Sequence, residues 1–188
     1  SDPAPLALEL ALWGAAEGEE LAFLDPPPQG PLLQARLLLQ ELGALFPNGQ
    51  PTPRGRSMAA LGLHPRMGAM VLRATDLELP ATELGLPPLP SEQRQALACV
   101  IAALLGERDP LRQDAAGADL CLRLDLLEQR SRTGAMAPIR QLALQLRRQL
   151  HLPKSLPLLP EGWASWVGIL LALALSLIHI SEPTRPSQ

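Results

Sequence analysis

Residues Phe46 to Arg66 read FPNGQPTPRGRSMAALGLHPR, and they decide the fold prediction. Asn48-Gly49 predicts a tight turn because both residues accept positive φ, and the flanking segments then predict a short β-hairpin. Thr52 followed by Pro53 is typical of a helix N-cap with proline at the first helical position. A helix, a tight hairpin and another helix form a winged-helix pattern.

Outside this stretch the composition favours helices. Tyr is absent and aromatic residues make up only 3% of the chain, so helix formers outnumber the residues that strands prefer. The predicted fold class is mainly α, with a winged-helix domain that carries a short β-hairpin, followed by a helical bundle. The predicted limits are a winged-helix domain at 1–74, a proline-rich linker or insertion at 75–90, the bundle at 91–174 and a tail at 175–188.

Two bundle helices are indicated by the spacing of apolar residues. Between Asp119 and Arg130 the alternation of apolar and polar residues allows a strand, but the spacing of Leu120, Leu124 and Leu127 favours a helix. An earlier helix begins at the N-cap Ser91 and carries its apolar residues at i, i+3, i+4, i+7 and i+8: Leu97, Val100, Ile101, Leu104 and Leu105.

A further helix is predicted from Ala135 to Leu150. It turns Arg140, Arg147 and Arg148 outward. These arginines indicate a solvated face, with contact to a phosphate as the alternative. The residues predicted to point inward are Ile139, Leu142, Leu146 and Leu150.

The charge balance restricts the partners. The formal net charge of −3 argues against a free-standing domain that holds nucleic acid by bulk electrostatics alone. Any contact with nucleic acid must therefore be local or shared with another domain.

Common catalytic motifs are missing from the sequence. It contains no GxxxxGK[ST] loop, no GxSxG elbow, no HExxH helix and no Rossmann glycine fingerprint. The histidines His64, His151 and His179 lack metal-ligand spacing. Cys99 and Cys121 form no CxxC pair and are expected to be small apolar residues of helices. We predict no catalytic residue, no metal site and no cofactor in this chain, and the cytoplasm as its compartment.

Five phrases resemble the region that follows the two motor domains in bacterial DEAH-box helicases of the HrpB type. They occur in the family's order, with weaker likeness on to about Ala174. The phrases are SDPAPLALELALWG at 1–14, FLDPPP at 23–28, LLQELGAL at 38–45, TPRGRSMAALGLHPRM at 52–67 and ERDPLR at 107–112.

This resemblance implies a winged-helix domain and a helicase-associated, or ratchet, bundle beside two RecA-like motor domains. The motor domains would bind ATP and Mg²⁺ and would precede Ser1, so the chain is expected to be a fragment. Its partners would be those motor domains and a single nucleic acid strand, expected to be RNA, which the accessory region helps to guide. The chain alone is expected to hydrolyse no ATP.

Two of the matching phrases contain the residues predicted to contact the strand. These are His64, Arg66, Arg108 and Arg112, which lie beside prolines at the ends of elements. The alternative for Arg66 and Arg108 is structural: each would cap a helix end or pair with a neighbouring acid, Glu107 or Asp109. The sequence departs from the family at the proline-rich insertion 75–90 and at Gly68-Ala69.

The apolar tail has two explanations. WASWVGILLALALSLIHI, from Trp163 to Ile180, carries no charge over about the minimum length of a spanning helix. However, the likeness to the family stops at Ala174, and the following SLIHISEPTRPS resembles a translated sequencing adapter. We therefore predict that residues 167–174 are a buried bundle segment, that the tail is not native and that the protein has no membrane partner.

Two other functions remain as alternatives. The first is a free winged-helix regulator that reads duplex DNA through Arg54 and Arg56, which the net acidity disfavours. The second is a tail-anchored membrane protein with a helical cytoplasmic domain, which rests only on residues 163–180.

Overall fold

In the computed structural model the chain is described at residues 2–14, 29–106, 117–130 and 134–175. These ranges contain eight α-helices and no strand: α1 (Ala4–Leu12), α2 (Gln29–Glu41), α3 (Pro53–Leu61), α4 (Pro65–Arg73), α5 (Ser91–Leu105), α6 (Gly117–Arg130), α7 (Ala137–Gln149) and α8 (Val167–Ala174). Short 3-10 turns precede α7 at Gly134–Met136 and α8 at Trp163–Trp166. The mainly α prediction is confirmed.

Helix α3 begins as its sequence predicts. The Thr52 side chain accepts a hydrogen bond from the Gly55 N–H at 3.0 Å and donates one to the Gly43 carbonyl, so it caps α3 and ties it to the end of α2. Pro53 occupies the first turn, where a missing N–H costs nothing. The helix ends at Gly62, which takes φ +67°.

The predicted β-hairpin is reduced to a tight turn. Gly49 takes φ +83° but Asn48 does not adopt positive φ, and the two arms pair only through one antiparallel bridge between Leu45 and Pro51. The bridge is closed by hydrogen bonds from the Phe46 N–H to the Gln50 carbonyl at 2.8 Å and from the Thr52 N–H to the Ala44 carbonyl at 2.9 Å, and Thr52 already caps α3. The arms are therefore too short to form strands, and a winged-helix domain is not confirmed.

Two apolar cores meet at α4. The smaller core joins α1, α2 and the tight turn to Met58 of α3 and Ala69 of α4. The larger core contains the opposite side of α4, with Met67, Met70 and Val71, together with α5 to α8. Because α4 belongs to both cores, it connects the two halves of the chain. The division at residues 74 and 75 remains a prediction.

Helix α5 is the centre of the larger core. Every residue from Gln95 to Leu105 is buried, which is the pattern of a helix enclosed on all sides. The helical alternative for residues 119–130 is confirmed, because α6 buries Leu120, Leu124 and Leu127 to within 1% exposure. The helix predicted from Ala135 is confirmed as α7.

The proline-rich segment 75–90 contains no helix or strand, as predicted, but it is held against the bundle. Arg94 donates a hydrogen bond to the Leu77 carbonyl at 2.7 Å. The indole N–H of Trp166 donates to the Pro87 carbonyl at 2.9 Å, and the Arg94 guanidinium lies 5.7 Å from the centre of the Trp166 ring. These contacts bring the segment close to the start of α8.

Helix α8 is a buried element of the bundle, as predicted. Its Val167, Leu170, Leu173 and Ala174 are at most 1% exposed, as is the preceding Trp166, so the indole lies in the core and not at a surface. In the part of the chain that the structure describes, no helix is both long and apolar enough to cross a membrane. The predicted tail lies outside the described residues beyond position 175.

Candidate nucleic-acid interface

His64 joins the starts of two helices. Its Nδ1 accepts a hydrogen bond from the Arg66 N–H at 3.1 Å and so caps α4. Because Nδ1 accepts, the ring proton is on Nε2, which lies 2.6 Å from Oδ2 of Asp2 and donates to it. The other carboxylate oxygen of Asp2 accepts from the Ala4 N–H at 2.9 Å, which caps α1.

The ring of His64 is therefore a structural part of the fold. The residue is only 3% exposed, and both ring nitrogens are hydrogen-bonded. Spacing in the sequence contains no sign of this role, because Asp2 lies sixty-two positions away. Contact between His64 and nucleic acid remains a prediction.

Arg66 holds the end of α8. Its guanidinium donates to the Ala174 carbonyl at 3.2 Å, where the partial negative charge of the helix terminus favours a cation. This is the helix-end alternative weighed for Arg66 in the sequence. The side chain is half-buried, and its contact with a strand remains a prediction. Arg108 and Arg112, the other two predicted contacts, lie outside the described residues.

The arginines of α3 differ in their surroundings. Arg54 forms an ion pair with Asp76 at 2.8 Å, while Arg56 is exposed. A duplex-reading helix needs several free side chains that reach base edges. Arg54 lies in an ion pair with Asp76, so α3 offers little support for the winged-helix regulator.

The prediction that Arg147 points outward is wrong. The residue is 4% exposed, and its guanidinium donates to the carbonyls of Leu156 at 2.7 Å and Pro157 at 3.2 Å. Burial lowers the pKa of Arg147 below its ordinary value. The segment after α7 folds back over the helix end and presents its carbonyls, which is why this arginine lies inside. The next residue, Arg148, is exposed as predicted.

A charge pattern that the motif analysis missed is centred on α7. Residues 129–160 contain six of the sixteen basic residues of the chain and none of its nineteen acidic residues. This stretch therefore carries a formal charge of +6 and the rest of the chain −9. Charge asymmetry of this kind is a sequence signal for an anionic partner, and the net charge conceals it.

Groups for covalent or metal chemistry do not assemble within the described ranges. No group of three or more His, Cys, Asp or Glu residues suited to a metal ion occurs there. Cys99 is buried and Cys121 half-buried. Burial raises the pKa of the Cys99 thiol to about 12, so this residue behaves as an apolar side chain at neutral pH.

The chain is similar to one group of helicases in both sequence and fold. It is 42% identical over 82 residues to the ATP-dependent RNA helicase HrpB of Escherichia coli strain K12, a match that covers 44% of this chain and 10% of that protein. Two crystal structures, described as E. coli DEAH/RHA helicase HrpB and E. coli DExH-box NTPase HrpB, each match with a TM-score of 0.62 at 28% identity. No protein-family model matches the chain.

The structural matches cover 93% of this chain and 18% of the solved chains. The chain therefore spans less than a fifth of the length of the proteins it resembles. The resemblance to HrpB-type helicases is confirmed, and the chain corresponds to one segment of such a protein.

Proposed function

We propose that this chain is the accessory region of an HrpB-type, ATP-dependent RNA helicase. In this role it guides a single nucleic acid strand, expected to be RNA, beside RecA-like motor domains that bind ATP and Mg²⁺. The observation that carries the proposal is the match of 93% of the chain, at 28% identity, to a segment of an HrpB helicase. The two proteins thus share sequence as well as fold over nearly the whole chain.

The connections between the helices fit a coupling role. Residues 64–66 bind Asp2 at the start of α1 and Ala174 at the end of α8. Two elements far apart in sequence are therefore fastened to the start of α4, which itself lies in both cores. An accessory region that transmits motion between a motor and a strand needs such a body, because packed interiors transmit displacement without absorbing it.

The proposal is tested by exchange into a complete helicase. The matching segment of E. coli HrpB is replaced by residues 2–174 of this chain, and ATP-dependent unwinding of an RNA duplex is measured. The control replaces the same segment by a flexible Gly/Ser linker. Unwinding by the exchange protein and none by the linker protein is expected. A folded exchange protein that hydrolyses ATP but unwinds no better than the linker protein would refute the proposal.

Measurements on the chain alone separate the alternatives. We expect no ATP hydrolysis and a preference for single-stranded RNA over duplex DNA in fluorescence anisotropy. Tight, sequence-specific binding of duplex DNA would instead support the winged-helix regulator. Hydrolysis of ATP by the pure chain would contradict the accessory role.

A further inference from the structure

One side of α7 and the segment after it form an exposed polar strip without a carboxylate. Gln141, Gln145 and Arg148 follow the i, i+4, i+7 spacing of a single helix face, and all three are exposed. His151 and Lys154 continue beyond the helix and are also exposed. We call these five residues the basic strip, and we propose that it binds the phosphate backbone of single-stranded RNA. This inference rests on the proposed function and names the surface that performs it.

The cations of the basic strip are available to a ligand. Arg148 and Lys154 make no ion pair with any residue in the described part of the chain. The nearest acidic residues in sequence are Glu128 and Glu161, outside the strip at both ends. A cation without an internal carboxylate partner keeps its full electrostatic attraction for a phosphate.

The strip is held in place by the buried Arg147. The guanidinium of Arg147 binds the carbonyls of Leu156 and Pro157, which fixes the turn that carries Lys154. His151 takes φ +57°, a left-handed conformation that is unfavourable for a side chain with a Cβ, and its N–H donates to the Arg148 carbonyl at 3.1 Å. The chain therefore turns sharply after α7, and the turn that carries Lys154 is fixed beside the helix end.

The residue types favour a phosphate backbone over a protein surface. Arg, Lys and Gln side chains supply N–H donors that suit phosphate oxygens, and such contacts carry no base specificity. The strip contains no Trp, Tyr or Phe side chain, whereas protein interfaces are enriched in large aromatic anchors of that kind. Its surrounding stretch, residues 129–160, carries a formal charge of +6, which attracts a polyanion in an otherwise acidic chain.

The test measures the salt dependence of RNA binding. Binding of a fluorescent twenty-nucleotide oligouridine is followed by anisotropy between 50 and 200 mM KCl, with the full chain and with the double variant R148Q/K154Q. Each phosphate contact to a single strand contributes about 0.7 to the slope of log K against log salt. Loss of two contacts should make this negative slope less steep by about 1.4. The binding constant should then fall about 25-fold at 0.1 M salt.

A matched control separates the strip from total charge. R36Q/R123Q removes the same charge from α2 and α6, and neither arginine makes an ion pair with a described residue. This control should keep the wild-type slope within about 0.5. An equal effect of both double variants, or no effect of R148Q/K154Q on a parent chain that binds RNA, overturns the inference. Thermal unfolding of each variant confirms that it is folded.

The exchange helicase distinguishes the failure of this inference from that of the proposed function. If the exchange protein unwinds RNA, and R148Q/K154Q leaves the dependence of unwinding on RNA concentration unchanged, the RNA-binding role of the strip is refuted. The proposed function then still stands. If the R148Q/K154Q variant of the exchange protein binds RNA as before but no longer unwinds it, the strip contacts an acidic protein surface. That result also overturns the inference. An exchange protein that does not unwind refutes the proposed function itself.

Discussion

Among the glycines whose surroundings the structure describes, Gly55 should be the most sensitive to substitution by alanine. A Cβ at this position would lie 2.1 Å from the Ala44 carbonyl oxygen, whereas carbon and oxygen normally approach to about 3.3 Å. The two backbones must separate by about 1 Å. Forced overpacking costs about 1–3 kcal/mol, and movement of Gly55 also weakens the Thr52 cap, worth about 1 kcal/mol. The higher helix propensity of alanine offsets about 0.5–1 kcal/mol of this, so the expected loss for Gly55→Ala is about 1–3 kcal/mol.

The assay is urea unfolding followed by circular dichroism at 222 nm. With an m-value of about 2 kcal/mol/M, the midpoint should fall by about 0.5–1.5 M. The matched control is Gly168→Ala in α8, where an added Cβ meets no atom within 4 Å and the higher helix propensity of alanine should stabilise by about 0.5–1 kcal/mol. If the free energy of unfolding of Gly55→Ala lies within 0.5 kcal/mol of the wild-type value, the close approach of Ala44 does not constrain the residue at position 55.

Three further substitutions test other contacts. Arg147→Met should cost about 2 kcal/mol, since charge-assisted bonds to carbonyls are lost, and should raise amide hydrogen exchange in residues 152–158; unchanged exchange would contradict the anchoring role. Asp2→Asn should lower the free energy of unfolding in urea by about 1–2 kcal/mol. The single amide oxygen cannot accept both hydrogen bonds of the carboxylate, and the amide N–H₂ would face the His64 N–H. Glu9→Gln on the exposed side of α1 is the control. Burial raises the Cys99 pKa from 9.0 to about 12, so the unfolded thiol ionises first. This thiol does not change the free energy of unfolding below pH 9. Above pH 9 it should lower that free energy by up to about 1.4 kcal/mol per pH unit until about pH 12. Urea unfolding of Cys99→Ala at the same pH values should lack this slope.

Features with a local cause were predictable from the sequence. Thr52 and Pro53 specify the start of α3, and the capping contacts lie within the four residues Thr52 to Gly55. The helical spacing of Leu120, Leu124 and Leu127 marks α6. The phrases shared with HrpB-type helicases pointed to the family that sequence and structure comparisons then matched. In each case the determining atoms belong to neighbours in the chain, so the signal survives in a short window.

Features that depend on distant contacts were not predictable. The cap on α4 requires Asp2 beside His64, and the space for a side chain at Gly55 is removed by Ala44 of the preceding turn. The predicted β-hairpin is not confirmed for a related reason. The Asn48-Gly49 signal concerns the turn alone, whereas strands also need arms long enough to pair.

The basic strip combines both kinds of information. A net charge of −3 suggested that any contact with nucleic acid had to be local, and the stretch 129–160 is where the positive charge collects. Periodicity alone placed Arg147 and Arg148 together on the outside of α7. Burial separates them, because the returning segment encloses the first and leaves the second exposed. The enclosed arginine then fixes the turn that carries Lys154, so one of two adjacent arginines holds the surface on which the other is available to bind.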